Sequence, residues 1–197
     1  MERENIANAL LWPIDQSLGF ALGSLDKIGL LKPASQAIYS GMRSMMGAQF
    51  RALNDLDVEG VENVPSSGGV ILAVNHQSWL DVQVVGASCT RRVHFMAKSE
   101  FEHWPILRHL VPISESVYVR RGGDNAALES ITQALRDGWA VVIFPEGTIP
   151  GEEDIPRRAV EPHTGLLPGH TGVARLALAA GVPIVPVGVT GTGRAFP

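Results

Sequence analysis

"GGVILAVNHQSWLD", residues 68–81, decides how this chain is read. "VILAV" is an unbroken apolar run of strand length, with glycines before it and Asn75, His76 and Gln77 behind it. Such a run fits a strand buried on both faces, the kind a parallel sheet requires. "SWLDVQVVGAS" then predicts a helix, with Ser78 as its N-cap. This strand–turn–helix unit sets His76 at a strand end and Asp81 in the first helical turn. Two readings of the pair are open. His76 is a satisfied polar residue beside a solvated carboxylate, or it is a base whose ring N–H is held by Asp81 while the other nitrogen takes a proton from a hydroxyl.

The same alternation continues outward. "LDVEGVENVP" (56–65) reads as a short strand and turn, and "RVHFMAK" (92–98), "SVYVRR" (116–121), "WAVVIFP" (139–145) and "VPIVPVGV" (182–189) read as strands. "DNAALESITQALRDG" predicts a helix with Leu128, Ile131 and Leu135 on one face and Gly138 ending it. "HTGVARLALAAG" predicts another, closed by Gly181. Repeated strand–helix units with uniformly apolar strands predict an α/β domain, a mainly parallel sheet flanked by helices. The stretch 149–169, rich in proline and charge, is long for an α/β connection and reads as a loop, either a lid or an insertion.

Residues 1–53 differ. Ile14, Leu18, Leu22 and Leu25 recur at helical spacing, then Ile38, Met42, Met45, Met46, Phe50 and Leu53, with Pro33 between the two stripes. This predicts a pair of amphipathic helices ahead of an α/β domain at 54–197. Their apolar faces go either into the core or onto a bilayer surface.

Composition narrows the function. Content of 45% hydrophobic and 18% charged residues describes a folded chain. Sixteen basic against twenty acidic residues, net −4, with no basic tract, argue against nucleic acid. A single cysteine, Cys89, excludes an intrachain disulfide framework and a multi-cysteine zinc site, and fits a reducing compartment. The other histidines show no metal-ligand spacing, so no metal is expected. No run reaches the ~20 apolar residues of a spanning helix. The opening "MERENIANALLW" is acidic where a signal peptide is basic.

In an open parallel sheet, ligands gather at the carboxyl ends of strands. Three polar clusters sit there: His76; Arg120 to Gly123; and Glu146, Gly147 and Thr148. "NHQSWLD", "VYVRRGG", "FPEGT" and "VPIVPV", in that order across about 58–193, resemble the four sequence blocks of glycerolipid acyltransferases, of which the lysophosphatidic-acid acyltransferases are the best known. The resemblance implies transfer of a fatty acyl group from acyl-CoA or acyl carrier protein to the free hydroxyl of a lysolipid, foremost 1-acyl-glycerol-3-phosphate, in phospholipid biosynthesis. It implies His76 as general base, Asp81 as its orienting partner, and Arg121, Glu146, Gly147 and Thr148 as substrate-binding residues. No cofactor beyond the acyl donor is implied. The N-terminal helices resemble the pair that docks such enzymes on membranes, implying a peripheral protein on the cytoplasmic face.

Two departures bear on the acceptor. Ile149 stands where the family usually has arginine, and isoleucine offers nothing to an anion. His170 stands where a lysine or arginine is common. A non-phosphate head group, a thioesterase using water, and a catalytically silent lipid binder are therefore the rival readings.

Overall fold

The structure, a computed structural model, describes residues 2–119, 125–150 and 166–195. Five strands, β1 (Val70–Val74), β2 (Val93–Lys98), β3 (Val117–Val119), β4 (Ala140–Ile143) and β5 (Ile184–Val187), form one sheet in the order β3-β2-β4-β1-β5. Every pairing is parallel, as the apolar runs predict.

Strand alternation sorts the core into two layers. Val70, Leu72, Val74, Val93 and Val142 point to one face, where Val85 of helix α3 (Leu80–Ser88) packs on them. Ile71, Val141 and Ile143 point to the other, against Ile131 and Leu135 of α5 (Asn125–Arg136) and Val173 and Leu176 of α6 (Gly172–Ala180). Burying each such side chain contributes roughly 1.5–3 kcal/mol. Gly69 has no alternative at the start of β1, because an added Cβ would lie 2.0 Å from the Leu135 carbonyl oxygen.

Helix α5 ends into Gly138 at φ 93° and α6 into Gly181 at φ 71°, the left-handed conformation that glycine adopts without strain. β5 departs from the buried reading: Ile184 and Pro186 face outward and Val185 and Val187 inward. Among the described strands β5 pairs only with β1, and an edge is where a strand proline is tolerated. The expected strand within 56–65 is not formed. Asp55 turns at φ 50°, and only a 3₁₀ turn at Val61–Asn63 follows. Between β2 and β3 lie a 3₁₀ turn (Ser99–His103) and a short helix α4 (Leu107–Ile113) that the periodicity does not announce.

The N-terminal pair is α1 (Glu2–Lys27) and α2 (Leu31–Leu53). The break falls at Ile28–Leu30, with Gly29 at φ 71°, and not at Pro33. Pro33 sits in the first turn of α2, where a missing N–H costs nothing. Helix α2 lies on the α/β body. Gly47 and Phe50 are buried, Arg43 Nη1 donates to the Cys89 carbonyl at 2.9 Å, and the Tyr39 hydroxyl accepts from the Val93 N–H at 3.2 Å.

Helix α1 keeps Leu18, Leu22 and Leu25 half-buried on the expected face but departs from it at the start of the stripe. Ile14 is exposed while Asp15 is fully buried, accepting from Ile106 N–H at 2.9 Å and from Arg108, with His109 Nε2 at 3.1 Å. The Arg108 hydrogen bond, against the opposing effect of burial, holds the Asp15 carboxyl below its ordinary range. Among the described residues no helix is long and apolar enough to cross a membrane.

Candidate active site

Strand register builds the site. Ala73 of β1 pairs with Ile143 of β4, and three residues beyond that pair on each strand come His76 and Glu146. Both therefore arrive at the same height above the carboxyl edge of the sheet. The His76 backbone N–H donates to Glu146 Oε1 at 2.9 Å, and the Leu167 N–H donates to Oε2 at 2.9 Å. Glu146 is buried, and each of its oxygens is engaged by a backbone donor. On the opposite flank, Asn75 Nδ2 donates to the Val189 carbonyl at 2.8 Å and its Oδ1 accepts the Val189 N–H at 2.7 Å.

The His76 ring meets Asp81: Nδ1 lies 3.0 Å from Oδ2. The same oxygen accepts the N–H groups of Gln77 at 2.6 Å and Ser78 at 2.9 Å, so the carboxylate ties the turn together as well as holding the ring. Ser78 Oγ accepts the Leu80 N–H at 3.2 Å, although the N-cap position falls one residue later than expected, at Trp79. Asp81 is fully buried. Burial alone would raise its pKa, but hydrogen bonds from His76 and from the Ser78 and Gln77 N–H groups, with the nearby Thr192 hydroxyl, outweigh it and hold the carboxyl below the ordinary 3.8. A charged acid on Nδ1 leaves Nε2 as the nitrogen able to accept a proton.

Phe144, at the end of β4, stacks on the His76 ring with centroids 4.0 Å apart and planes at 20°. It also lines a cavity of about 380 Å³ between α2, α3 and β2. Met42 and Met46 of α2, Val82 and Gly86 of α3, and Phe95 of β2 supply much of its apolar wall. Trp79 also lines this cavity and is 53% exposed.

The "FPEGT" turn reaches His76 through Glu146. Gly147 takes φ 69° and donates its N–H to the Phe144 carbonyl at 3.0 Å. A Cβ there would lie 3.4 Å from the His170 ring, and the backbone N–H of His170 donates to the Pro145 carbonyl at 2.8 Å. Thr148 and Ile149 are half-buried. Arg121, Arg120, Arg157, Arg158 and His163 lie outside the described residues, as does most of the 149–169 loop. Cys89 is a free, half-buried thiol, and burial pushes its pKa up. His94 is buried and stacked on Trp139. Among the described residues no cluster of histidine, cysteine and carboxylates could hold a metal. Sequence reasoning missed Asn75, Phe144 and Thr192. Asn75 in "NHQSWLD" and Phe144 in "FPEGT" stood inside quoted motifs that could have pointed to them; Thr192 did not.

A five-stranded parallel sheet with a histidine–carboxylate pair at its carboxyl rim and an apolar cavity beside it describes a class of α/β proteins suited to hydroxyl or thioester chemistry. The chain belongs to the acyltransferase family, whose model matches residues 55–190. It is 27% identical over 162 residues to a 1-acyl-sn-glycerol-3-phosphate acyltransferase of Saccharomyces cerevisiae, covering 80% of this chain and 48% of that protein. It is 39% identical over 82 residues to a lyso-ornithine lipid O-acyltransferase of Rhizobium meliloti, covering 40% and 27%. The chain thus spans about half the length, or less, of these curated relatives. The crystal structure of a 1-acyl-sn-glycerophosphate acyltransferase from Thermotoga maritima shares the fold, with a TM-score of 0.67 at 23% identity over 98% of this chain and 78% of that one.

Proposed function

We propose that this protein transfers a fatty acyl group from a thioester donor, acyl-CoA or acyl carrier protein, to the hydroxyl of a lysolipid. One observation carries the reading: a single ring, His76, touches a buried carboxylate on one side and, through Phe144, the wall of an apolar cavity on the other.

In this reading Nε2 of His76 removes the proton of the acceptor hydroxyl as its oxygen attacks the thioester carbon. The tetrahedral adduct then expels the thiolate, which takes the proton back from the imidazolium, so ester and free thiol are the products. General-base help of this kind contributes on the order of 10²–10⁴ in rate. The apolar cavity suits an acyl chain, because most of its lining is apolar. Glu146 serves here by fixing the backbone of His76, with Gly147, Thr148 and Arg121 left to meet the acceptor.

The acceptor is 1-acyl-glycerol-3-phosphate in the first reading. Ile149 favours a second, an acceptor with an amino-acid head group, because it removes the guanidinium suited to a phosphate monoester. The similarity to a lyso-ornithine lipid enzyme supports that alternative. Membrane access is proposed through α1 and α2, whose Phe20 and Met45 are exposed.

A thiol-release assay with palmitoyl-CoA and a panel of lysolipids, on wild type and His76→Ala, tests the reading. Release that depends on a lysolipid and is lost in the variant supports it. Lysolipid-independent release turns it into a thioesterase, and no release with any pair leaves a lipid binder.

A further inference from the structure

The polypeptide beyond β5 returns to the site. After the paired Asn75–Val189 contacts, the chain turns at Gly191 and forms a short helix α7 (Thr192–Ala195). This turn lies on the His76–Asp81 loop closely enough that a Cβ on Gly193 would be 3.4 Å from the Gln77 carbonyl oxygen. Thr192 is consequently buried, 7% exposed, in a segment that is otherwise surface.

Thr192 Oγ1 and Asp81 Oδ1 are both buried, and neither has a hydrogen-bond partner in this structure. The hydroxyl stands near enough to the Asp81 carboxylate to favour its charged form. The other oxygen, Oδ2, already accepts from His76, Gln77 and Ser78. A buried carboxylate oxygen with no donor is costly, and a hydroxyl can rotate to supply one.

We infer that Thr192 is a positioning residue for the base, the third link of a chain His76–Asp81–Thr192, which fixes the plane of the Asp81 carboxylate so that Oδ2 stays on the imidazole. The inference rests on the reading of His76 as the base. A threonine is suited to the post: its β-methyl restricts χ1, so the hydroxyl direction is set by packing and not by chance. Asn75 contributes by stapling Val189, three residues upstream, to the end of β1.

Steady-state kinetics with palmitoyl-CoA and 1-oleoyl-glycerol-3-phosphate on Thr192→Val, Thr192→Ser and His76→Ala test it, alongside the proton resonance of the His76 Nδ1–H. Valine keeps the shape and removes the hydroxyl. The expected result for Thr192→Val is a kcat lowered about 10-fold to 100-fold, with KM for both substrates within about twofold of wild type. The Nδ1–H signal should broaden, and Thr192→Ser should restore both the signal and kcat. Wild-type kcat in Thr192→Val, a change confined to KM, or a serine variant no better than valine overturns the inference. Should valine not fold, Thr192→Ala takes its place. If neither folds, the hydroxyl serves stability and the inference falls. If His76→Ala itself keeps wild-type turnover, the base assignment fails, whereas a dead His76→Ala beside an unimpaired Thr192→Val sinks this inference alone.

Discussion

The backbone N–H of His76 donates at 2.9 Å to the side chain of Glu146, which stands 70 positions further along the chain, at the end of the neighbouring strand. Glu146 in turn accepts from Leu167, so a single buried carboxylate joins β1, β4 and the approach to α6. Glu146→Ala leaves two buried N–H groups without acceptors. We expect melting to drop by several degrees, from about 1–3 kcal/mol per orphaned group. Acyl transfer should lose kcat on the order of tenfold or more with KM for the lysolipid little changed. A KM effect with kcat preserved would return Glu146 to direct substrate contact.

Asp81→Asn keeps the shape and removes the negative charge that faces the imidazole. It also offers an amide donor where Oδ2 now accepts from His76, Gln77 and Ser78. Turnover should fall on the order of 10²–10⁴-fold, with the folded state retained by circular dichroism. Turnover within twofold of wild type would remove Asp81 from the mechanism.

Gly86 floors the apolar cavity. An added Cβ would stand 3.8 Å from the Phe95 ring, ordinary contact distance. Gly86→Ala should therefore fit and stabilise α3 by about 1 kcal/mol, some 2–4 °C in melting. Gly86→Leu reaches into the cavity, and we expect use of palmitoyl-CoA to drop relative to octanoyl-CoA. Equal loss with both donors would separate the cavity from the acyl chain.

His94 is buried against Trp139, with its Nδ1 3.2 Å from the Glu115 carbonyl. Burial pushes its pKa below the ordinary 6.5, against the pull of that carbonyl. The unfolded chain therefore binds the proton first. Stability from keeping the ring neutral is complete above pH 6.5 and is lost as pH falls toward the depressed folded value. Wild type should lose melting temperature on going from pH 7 to 5.5, and His94→Phe, which keeps the stack, should lose less. Parallel losses in the two proteins would refute the assignment.

Removing α1 and α2 together is a poor test of membrane docking, since α2 covers part of the core through Phe50 and Gly47. Phe20→Asp with Met45→Asp alters exposed positions and leaves the fold alone. Co-sedimentation with anionic lipid vesicles should weaken severalfold while thiol release from soluble short-chain substrates stays near wild type. Unchanged co-sedimentation would assign docking to another surface.

The sheet was legible because each strand is a short apolar run bounded by turn residues, and the His76–Asp81 pair because both partners lie within six residues. The α4 region was not, since Pro105, Pro112 and a left-handed Ile106 hide any helical period. Burial of Asp15 could not be read from its helix, because the arginine that compensates it is 93 residues away. The strand expected in 56–65 was misjudged: apolar alternation there was not enough to form ladder pairing. Glu146 was legible as a motif member but not as a brace, and Thr192 carried no pattern at all. Such contacts exist only once the sheet has brought distant segments together.

Asn75 and Glu146 grip the end of β1 from opposite neighbours, one through Val189 and the other through the His76 backbone. Rigidity at the imidazole is thus a property of three adjacent strand ends and not of the heptapeptide that contains it. Grafted onto a loop of some other scaffold, "NHQSWLD" would bring its acid and its ring but arrive slack. An engineer wishing to move this chemistry would have to transplant the sheet's rim along with it.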